Sequence, residues 1–133
     1  MKSQFSGAAG VYYVAAELCL RNYAALVTTR NTKAVDILAL NNDTYHTVGI
    51  QVKTNSTPNN FWLVGNSDRV KTDQIIYVFV DLKKDKLPSY YIVPAEEVKN
   101  RITTDKEGKW KSVSRRSIEN YRDRWDIIDS MTK

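Results

Sequence analysis

The chain has one cysteine, Cys19, and one histidine, His46, in 133 residues. A lone cysteine closes no intrachain disulfide, and this pair cannot build a Cys/His zinc site, so a disulfide-rich secreted scaffold and a zinc module are both excluded. Long hydrophobic runs are also missing. The longest, Val11 to Ala16 and Ile75 to Val80, are far shorter than the roughly 20 residues that cross a bilayer. Glu17 and Arg21 interrupt the semi-apolar N-terminal stretch before it can serve as the apolar region of a signal peptide. The expectation is a cytoplasmic protein with no membrane span. There is no repeat or low-complexity tract, and neither a recognition-helix signature nor an RNA-binding aromatic motif, so sequence-specific base reading is not expected.

What is present is an ordinary globular balance, with 42% apolar and 26% charged residues. A chain of this length buries one core, so residues 1–133 are expected to form a single domain. Val11, Val14, Ala15, Leu18 and Cys19 recur at helical spacing and predict an amphipathic helix from Ser6 onward, with Cys19 a small residue of its apolar face. Glu17 and Arg21 are spaced for an i,i+4 surface pair. Ala24 to Thr29 reads as a strand, followed by the polar turn Arg30 to Lys33. Ala34 to Leu40 and His46 to Thr54 read as strands joined through Asn41-Asn42-Asp43, an antiparallel hairpin. His46 has no visible partner in the pattern and reads as solvated.

Within the second arm, Gln51 and Lys53 share the face opposite Val48, Ile50 and Val52. A turn near Asp43 pairs residues whose numbers sum to about 87, which places Asp36 close to Gln51, with a slip of one or two positions open. Ser56 to Lys71 reads as a loop, with Phe61 to Val64 a short strand or turn anchored in the core. Ile75 to Val80 has no polar interruption and predicts a strand buried on both faces at the centre of the sheet. Tyr90 to Val93 predicts a further strand, and Pro94 with Glu96 and Glu97 predicts the start of a helix. Ile118, Tyr121, Trp125 and Ile128 predict one more short helix. Most of the tyrosines and tryptophans fall at core positions of these elements. The order predicts an α/β or α+β fold around a mixed sheet.

Asp36, Gln51 and Lys53 bring together an acid, an amide and an ammonium. Hydrolysing a phosphodiester with a divalent metal needs oxygen ligands for the ion and a cation that steadies developing charge, and these three residues can fill those posts. Between Lys99 and Arg124, nine basic residues stand against four acidic ones, a surplus equal to the net charge of +5 of the whole chain. Lys109, Lys111, Arg115 and Arg116 lie in this segment, which can follow a nucleic-acid backbone through salt-sensitive contacts; a solvated face is the competing reading.

Asp36, then Gln51-Val52-Lys53 on the next strand, after a helix that opens Gly7-Ala-Ala-Gly10 and runs through Val14-Ala-Ala-Glu-Leu18, resembles the PD-(D/E)XK nuclease superfamily. The resemblance is nearest to its small Holliday-junction-resolvase-like and Mrr-like members, and covers most of the chain. Tyr77 to Leu82, Tyr91 to Pro94 and Trp125 fit the same pattern. The resemblance implies a restriction-endonuclease-like core in which an N-terminal helix is followed by an antiparallel three-strand meander. It also implies Mg²⁺ or Mn²⁺ held by Asp36, Gln51 and the carbonyl of Val52, with Lys53 as catalytic lysine and DNA as partner. Small nucleases of this fold often act as dimers, so a homodimer or higher homo-oligomer is an expectation as well. The chain departs from the pattern twice. Gln51 replaces the usual carboxylate, and Val11 stands where resolvase-like members carry a helix glutamate. A neutral oxygen holds a hard cation less strongly than a charged one. The alternative expectation is therefore a nuclease-fold module with weakened or lost chemistry that binds nucleic acid or a protein partner.

Overall fold

A computed structural model describes residues 2–28, 35–65 and 75–133. The turn expected at residues 30–33, and the part of the expected loop at 66–71, lie outside the described residues. Helix α1 (Ser3–Leu20) leads into strands β1 (Tyr23–Val27), β2 (Ile37–Asn41) and β3 (Thr47–Asn55), an antiparallel meander. Strand β5 (Ile75–Asp81) then runs parallel to β3, and β6 (Ser89–Pro94) antiparallel to β5, giving a mixed sheet in the order β1-β2-β3-β5-β6. The expected mixed-sheet α/β architecture is the observed one.

α1 lies on one face of the sheet through Ser6, Gly10, Val14 and Leu18, spaced four apart. The approach is close because a Cβ on Gly10 would sit 1.9 Å from Thr54 Oγ1. The line of contact is thus set partly by small residues that hydrophobic periodicity does not count, and the helix starts at Ser3 rather than Ser6. The same line corrects the expectation for Cys19, which is exposed. It follows Leu18 by about 100° around the helix and clears the sheet. The Glu17–Arg21 pair forms at 3.0 Å. After α1, Asn22 takes φ 73°, a left-handed turn that asparagine tolerates better than most residues, and redirects the chain into β1.

Val48, Ile50 and Val52 pack toward α1 together with Ile76, Val78 and Val80. On the other face Tyr77 and Phe79 join Trp62, Tyr91 and Val93 in a second core. β5 therefore contributes to both cores, as its uninterrupted apolar sequence predicts. The β2–β3 turn is an Asx arrangement in which Asn41 Oδ1 accepts the N–H groups of Asp43 (2.9 Å) and Thr44 (3.3 Å). His46, expected to be solvated, is exposed but has a partner, since its Nδ1 meets the carbonyl of Lys133.

Pro94 closes β6 and precedes helix α2 (Ala95–Arg101), with Glu96 and Glu97 in the first turn. The short strand β4 (Phe61–Val64) is anchored as expected through Trp62 and Val64, but it belongs to a second sheet with β7 (Thr103–Thr104) and β8 (Lys111–Ser114) in the order β4-β8-β7. That sheet was not foreseen, because β7 and β8 are short, polar and lack alternation. The expected single C-terminal helix is two pieces, a 3-10 helix (Arg116–Tyr121) and helix α3 (Asp126–Met131). Between them Arg122 is extended and bridges to Tyr91, and Asp123 has φ 54°, so the helical path cannot continue. No helix among the described residues is long and apolar enough to cross a membrane.

Candidate active site

The β2–β3 register pairs Ile37 with Ile50, which places Asp36 opposite Gln51 as the turn position predicts. At Asp36 the ladder changes. Its N–H still donates to the carbonyl of Ile50 at 2.8 Å, but its own carbonyl turns toward β1 and accepts the N–H of Thr28 at 2.9 Å. The next donor of β3, the Val52 N–H, is taken at 2.8 Å by Asp36 Oδ2 instead. The carboxylate so replaces a ladder acceptor, which fixes its position by backbone on both sides. Thr28 adds to the hold, its hydroxyl donating to the carbonyl of Val35 at 2.6 Å. Because a strand residue presents its N–H and C=O to the same edge, the Val52 carbonyl emerges on the edge that Asp36 occupies.

Gln51 and Lys53 stand side by side on the face away from α1, in register with Tyr77 and Phe79. Both are half-buried. Gln51 Oε1 is buried without a hydrogen-bond partner among the described residues. A buried acceptor left unpaired is costly and uncommon in native proteins. Burial pushes the Asp36 carboxyl above its usual range, against the opposing pull of the Val52 N–H and the Lys53 charge. Burial likewise pulls the Lys53 ammonium below the usual lysine value, and the charge of Asp36 partly restores it.

A cavity of about 450 Å³ opens over this edge, lined by Gln4, Gly7, Ala8, Val11 and Tyr12 of α1, by Val27 and Thr28, and by Asp36, Gln51 and Val52. The structure thus brings Asp36, Gln51 and Val52 to one cavity, with Lys53 adjacent on β3. Val11 looks into the same cavity, so the position at which the resemblance would place a glutamate faces the site here with an aliphatic side chain. Glu17 lines a different depression, beside Leu87 and Tyr90, and does not stand in for it. Gln4, Tyr12 and Thr28 were missed from sequence. Gln4, Gly7 and Val11 fall at i, i+3 and i+7, a helical signal for Gln4; Thr28 carries none, since its contact with Asp36 depends on the bend.

Lys109, Lys111, Arg115 and Arg116 lie apart from this cavity, on the second sheet and its exit. Lys109 and Arg116 are exposed and Lys111 is half-buried. Arg115 is engaged internally, with Nη2 at 2.8 Å from Asp81 Oδ2 and its guanidinium 5.7 Å from the centre of the Trp62 ring.

Among the described residues no three His, Cys, Asp or Glu side chains cluster as a metal site. The donor set at β3 is instead one carboxylate, one side-chain amide oxygen and one main-chain carbonyl. Oxygen donors of this kind suit hard divalent cations, and the orphaned Gln51 Oε1 is the atom such a cation would satisfy. The residues fit the group, with a single negative charge to hold it.

The likeness to solved structures extends over nearly the whole chain. A bacterial homing endonuclease, I-Ssp6803I, superposes with a TM-score of 0.68 at 16% identity, covering 98% of this chain and 94% of that one. The Holliday junction resolvase Hjc of Archaeoglobus fulgidus superposes with a TM-score of 0.61 at 12% identity, covering 92% and 95%. The chain shares its fold, a mixed sheet flanked by helices, with these two nuclease structures. No family model matches the sequence, and no curated protein matches it.

The two half-buried charges have opposite consequences for stability with pH. The folded chain holds the Asp36 proton more tightly than the unfolded chain does, so stability falls as pH rises from the ordinary carboxylate range through the elevated folded value. Lys53 is the reverse: its folded ammonium releases the proton more readily, so it burdens the fold at neutral pH and ceases to do so as pH rises toward the ordinary lysine range. Asp36→Asn, which keeps an acceptor for the Val52 N–H, is expected to melt above the parent near neutral pH without divalent metal. The difference should shrink on acidification through the carboxylate range, as followed by circular dichroism.

Proposed function

We propose that the chain is a metal-dependent DNA endonuclease of the PD-(D/E)XK type, hydrolysing phosphodiesters at Asp36, Gln51 and Lys53. The observation that carries this reading is the unpartnered Gln51 Oε1 beside the backbone-fixed carboxylate of Asp36. Asp36, Gln51 and the Val52 carbonyl would hold Mg²⁺ or Mn²⁺. When bound, that cation lowers the pKa of water and offsets charge on a phosphoryl oxygen. The Val52 N–H and the Thr28 contacts hold the Asp36 carboxylate in place. Lys53 orients the attacking water and offsets the negative charge that grows on the phosphate as water bonds to phosphorus and the ester P–O bond breaks. Its half-buried position strengthens that interaction, since less water screens it. Positively charged side chains of the Lys109 to Arg116 segment contact the backbone of DNA without reading its sequence. Two copies of the chain would present two such sites to two strands.

A second reading rests on Val11. With an aliphatic side chain in the cavity and one carboxylate in the donor set, the chain is instead a binding module whose hydrolytic chemistry has lapsed. Incubation with supercoiled, linear, single-stranded and four-way-junction DNA in Mg²⁺, Mn²⁺ or EDTA separates the two. Metal-dependent scission of at least one substrate is expected. Absence of scission on every substrate, with salt-sensitive DNA binding retained, would replace the first reading with the second.

A further inference from the structure

The small β4-β8-β7 sheet has an outer face on which two large apolar side chains stand exposed, and a third is exposed just before β8. Alternation along β4 sends Trp62 and Val64 inward and Phe61 and Leu63 outward. The inner pair is buried, whereas Phe61 is 40% and Leu63 53% exposed. Across the ladder their partners are Ser114 and Ser112, and Ser112 in turn faces Thr103, with the two hydroxyls 3.2 Å apart. Trp110, just before β8, is 55% exposed and lines an open cavity of about 500 Å³ with Leu63, Gly65, Lys109 and Lys111.

The loop that presents Trp110 is fixed by its own backbone. Asp105 Oδ1 accepts the N–H groups of Lys109 (2.8 Å) and Trp110 (3.2 Å), and the Asp105 N–H donates to the Trp110 carbonyl at 3.0 Å. Gly108 supplies the left-handed turn at φ 69°. The backbone that carries the indole is therefore already ordered before a ligand covers it. Around it Lys106, Lys109 and Lys111 stand against Asp105 and Glu107, a surplus of one positive charge, and the Asp105 carboxylate is turned to the backbone N–H groups of the loop.

An exposed indole flanked by lysines beside a hydroxyl-bearing sheet matches one chemistry well: a flat aromatic base linked to phosphates. In a duplex the base faces are covered by their neighbours, so the complementary ligand is unpaired. We propose that this face is a binding site for single-stranded DNA, in which a base stacks on Trp110 and the adjoining phosphates meet Lys109 and Lys111. That the nucleic acid is DNA rests on the endonuclease reading above; the stacking geometry does not. A strand held here would deliver an unpaired flank, such as the arm of a branched or gapped duplex, to the enzyme.

The chain's tryptophans make the test direct. Trp62 and Trp125 are buried, and Trp110 alone of the three is exposed, so acrylamide-accessible emission reports on Trp110. In EDTA, an oligothymidylate of about ten nucleotides is expected to quench that emission and shield it from acrylamide. Inorganic polyphosphate is expected to bind without quenching, and a blunt duplex of equal length to shield it less. Trp110→Ala should weaken oligothymidylate binding about tenfold with an unchanged salt dependence, whereas Lys109→Ala with Lys111→Ala should flatten the salt dependence. Equal binding by Trp110→Ala and parent, equal quenching by polyphosphate, or tighter binding of oligouridylate than of oligothymidylate would overturn the proposal. The assay needs neither metal nor turnover. Failure of the endonuclease reading would show as absent cleavage with this binding intact.

Discussion

Lys53→Met is expected to lower DNA cleavage by a factor on the order of 10² to 10³, the usual loss when a preorganised charge stabiliser is removed from an active site. The fold should survive, because the half-buried ammonium is held in its charged form against a burial penalty and methionine fills similar volume without it. The melting temperature at neutral pH should therefore equal or exceed that of the parent. This pairing of outcomes separates a catalytic lysine from a structural one, whose removal would cost stability and activity together. Lys53→Arg should not restore the rate, since a planar fork on a longer stem cannot place charge where a compact ammonium sits. Single-turnover cleavage with each variant, alongside thermal denaturation, reads both quantities; cleavage by Lys53→Met at the parental rate would remove Lys53 from the mechanism.

Val11→Glu carries the second large effect, in the opposite direction. Position 11 looks into the same cavity as Asp36 and Gln51, so a carboxylate there joins a donor set that holds one negative charge. Affinity for Mg²⁺ or Mn²⁺ should rise roughly tenfold or more, because binding of hard cations is tuned by ligand charge. Without metal, two carboxylates in one cavity repel, each raising the other's pKa, and the variant should melt below the parent until divalent cation is added. Gln51→Glu acts on the same donor set from β3 and should share both signatures. Cleavage that gains in rate, or reaches its maximum at lower metal concentration, would mark the site as a nuclease centre short of one charge. Unchanged metal dependence in both variants would show that the donor set is not where these residues place it.

Much of the geometry of this candidate site is legible in the sequence, and for a definite reason. Strand alternation fixes Gln51 and Lys53 to one face, and the Asn41-Asn42-Asp43 turn fixes the register that brings Asp36 opposite Gln51; both are local consequences of backbone geometry. The bend at Asp36 was not legible. It depends on Thr28 claiming the Asp36 carbonyl from a neighbouring strand, which leaves the Val52 N–H to the carboxylate. Tertiary contacts also decided the other differences. Cys19 follows the apolar spacing yet lies outside the line along which Gly10 lets the helix meet Thr54. The helical spacing from Ile118 to Ile128 is interrupted where Arg122 bridges to Tyr91. The second sheet, with strands of two and four residues, is held by pairing and by the burial of Trp62 and Val113 rather than by any pattern long enough to read.

Asp36, Gln51 and the Val52 carbonyl are proposed to form a binding site for one divalent cation. Titration of the metal-free protein with Mn²⁺, followed by electron paramagnetic resonance of the free ion, tests it without substrate. One bound ion is expected in the parent, competed by Mg²⁺, weakened strongly by Asp36→Asn and tightened by Val11→Glu. Mn²⁺ binding that is the same in the parent and Asp36→Asn would contradict it.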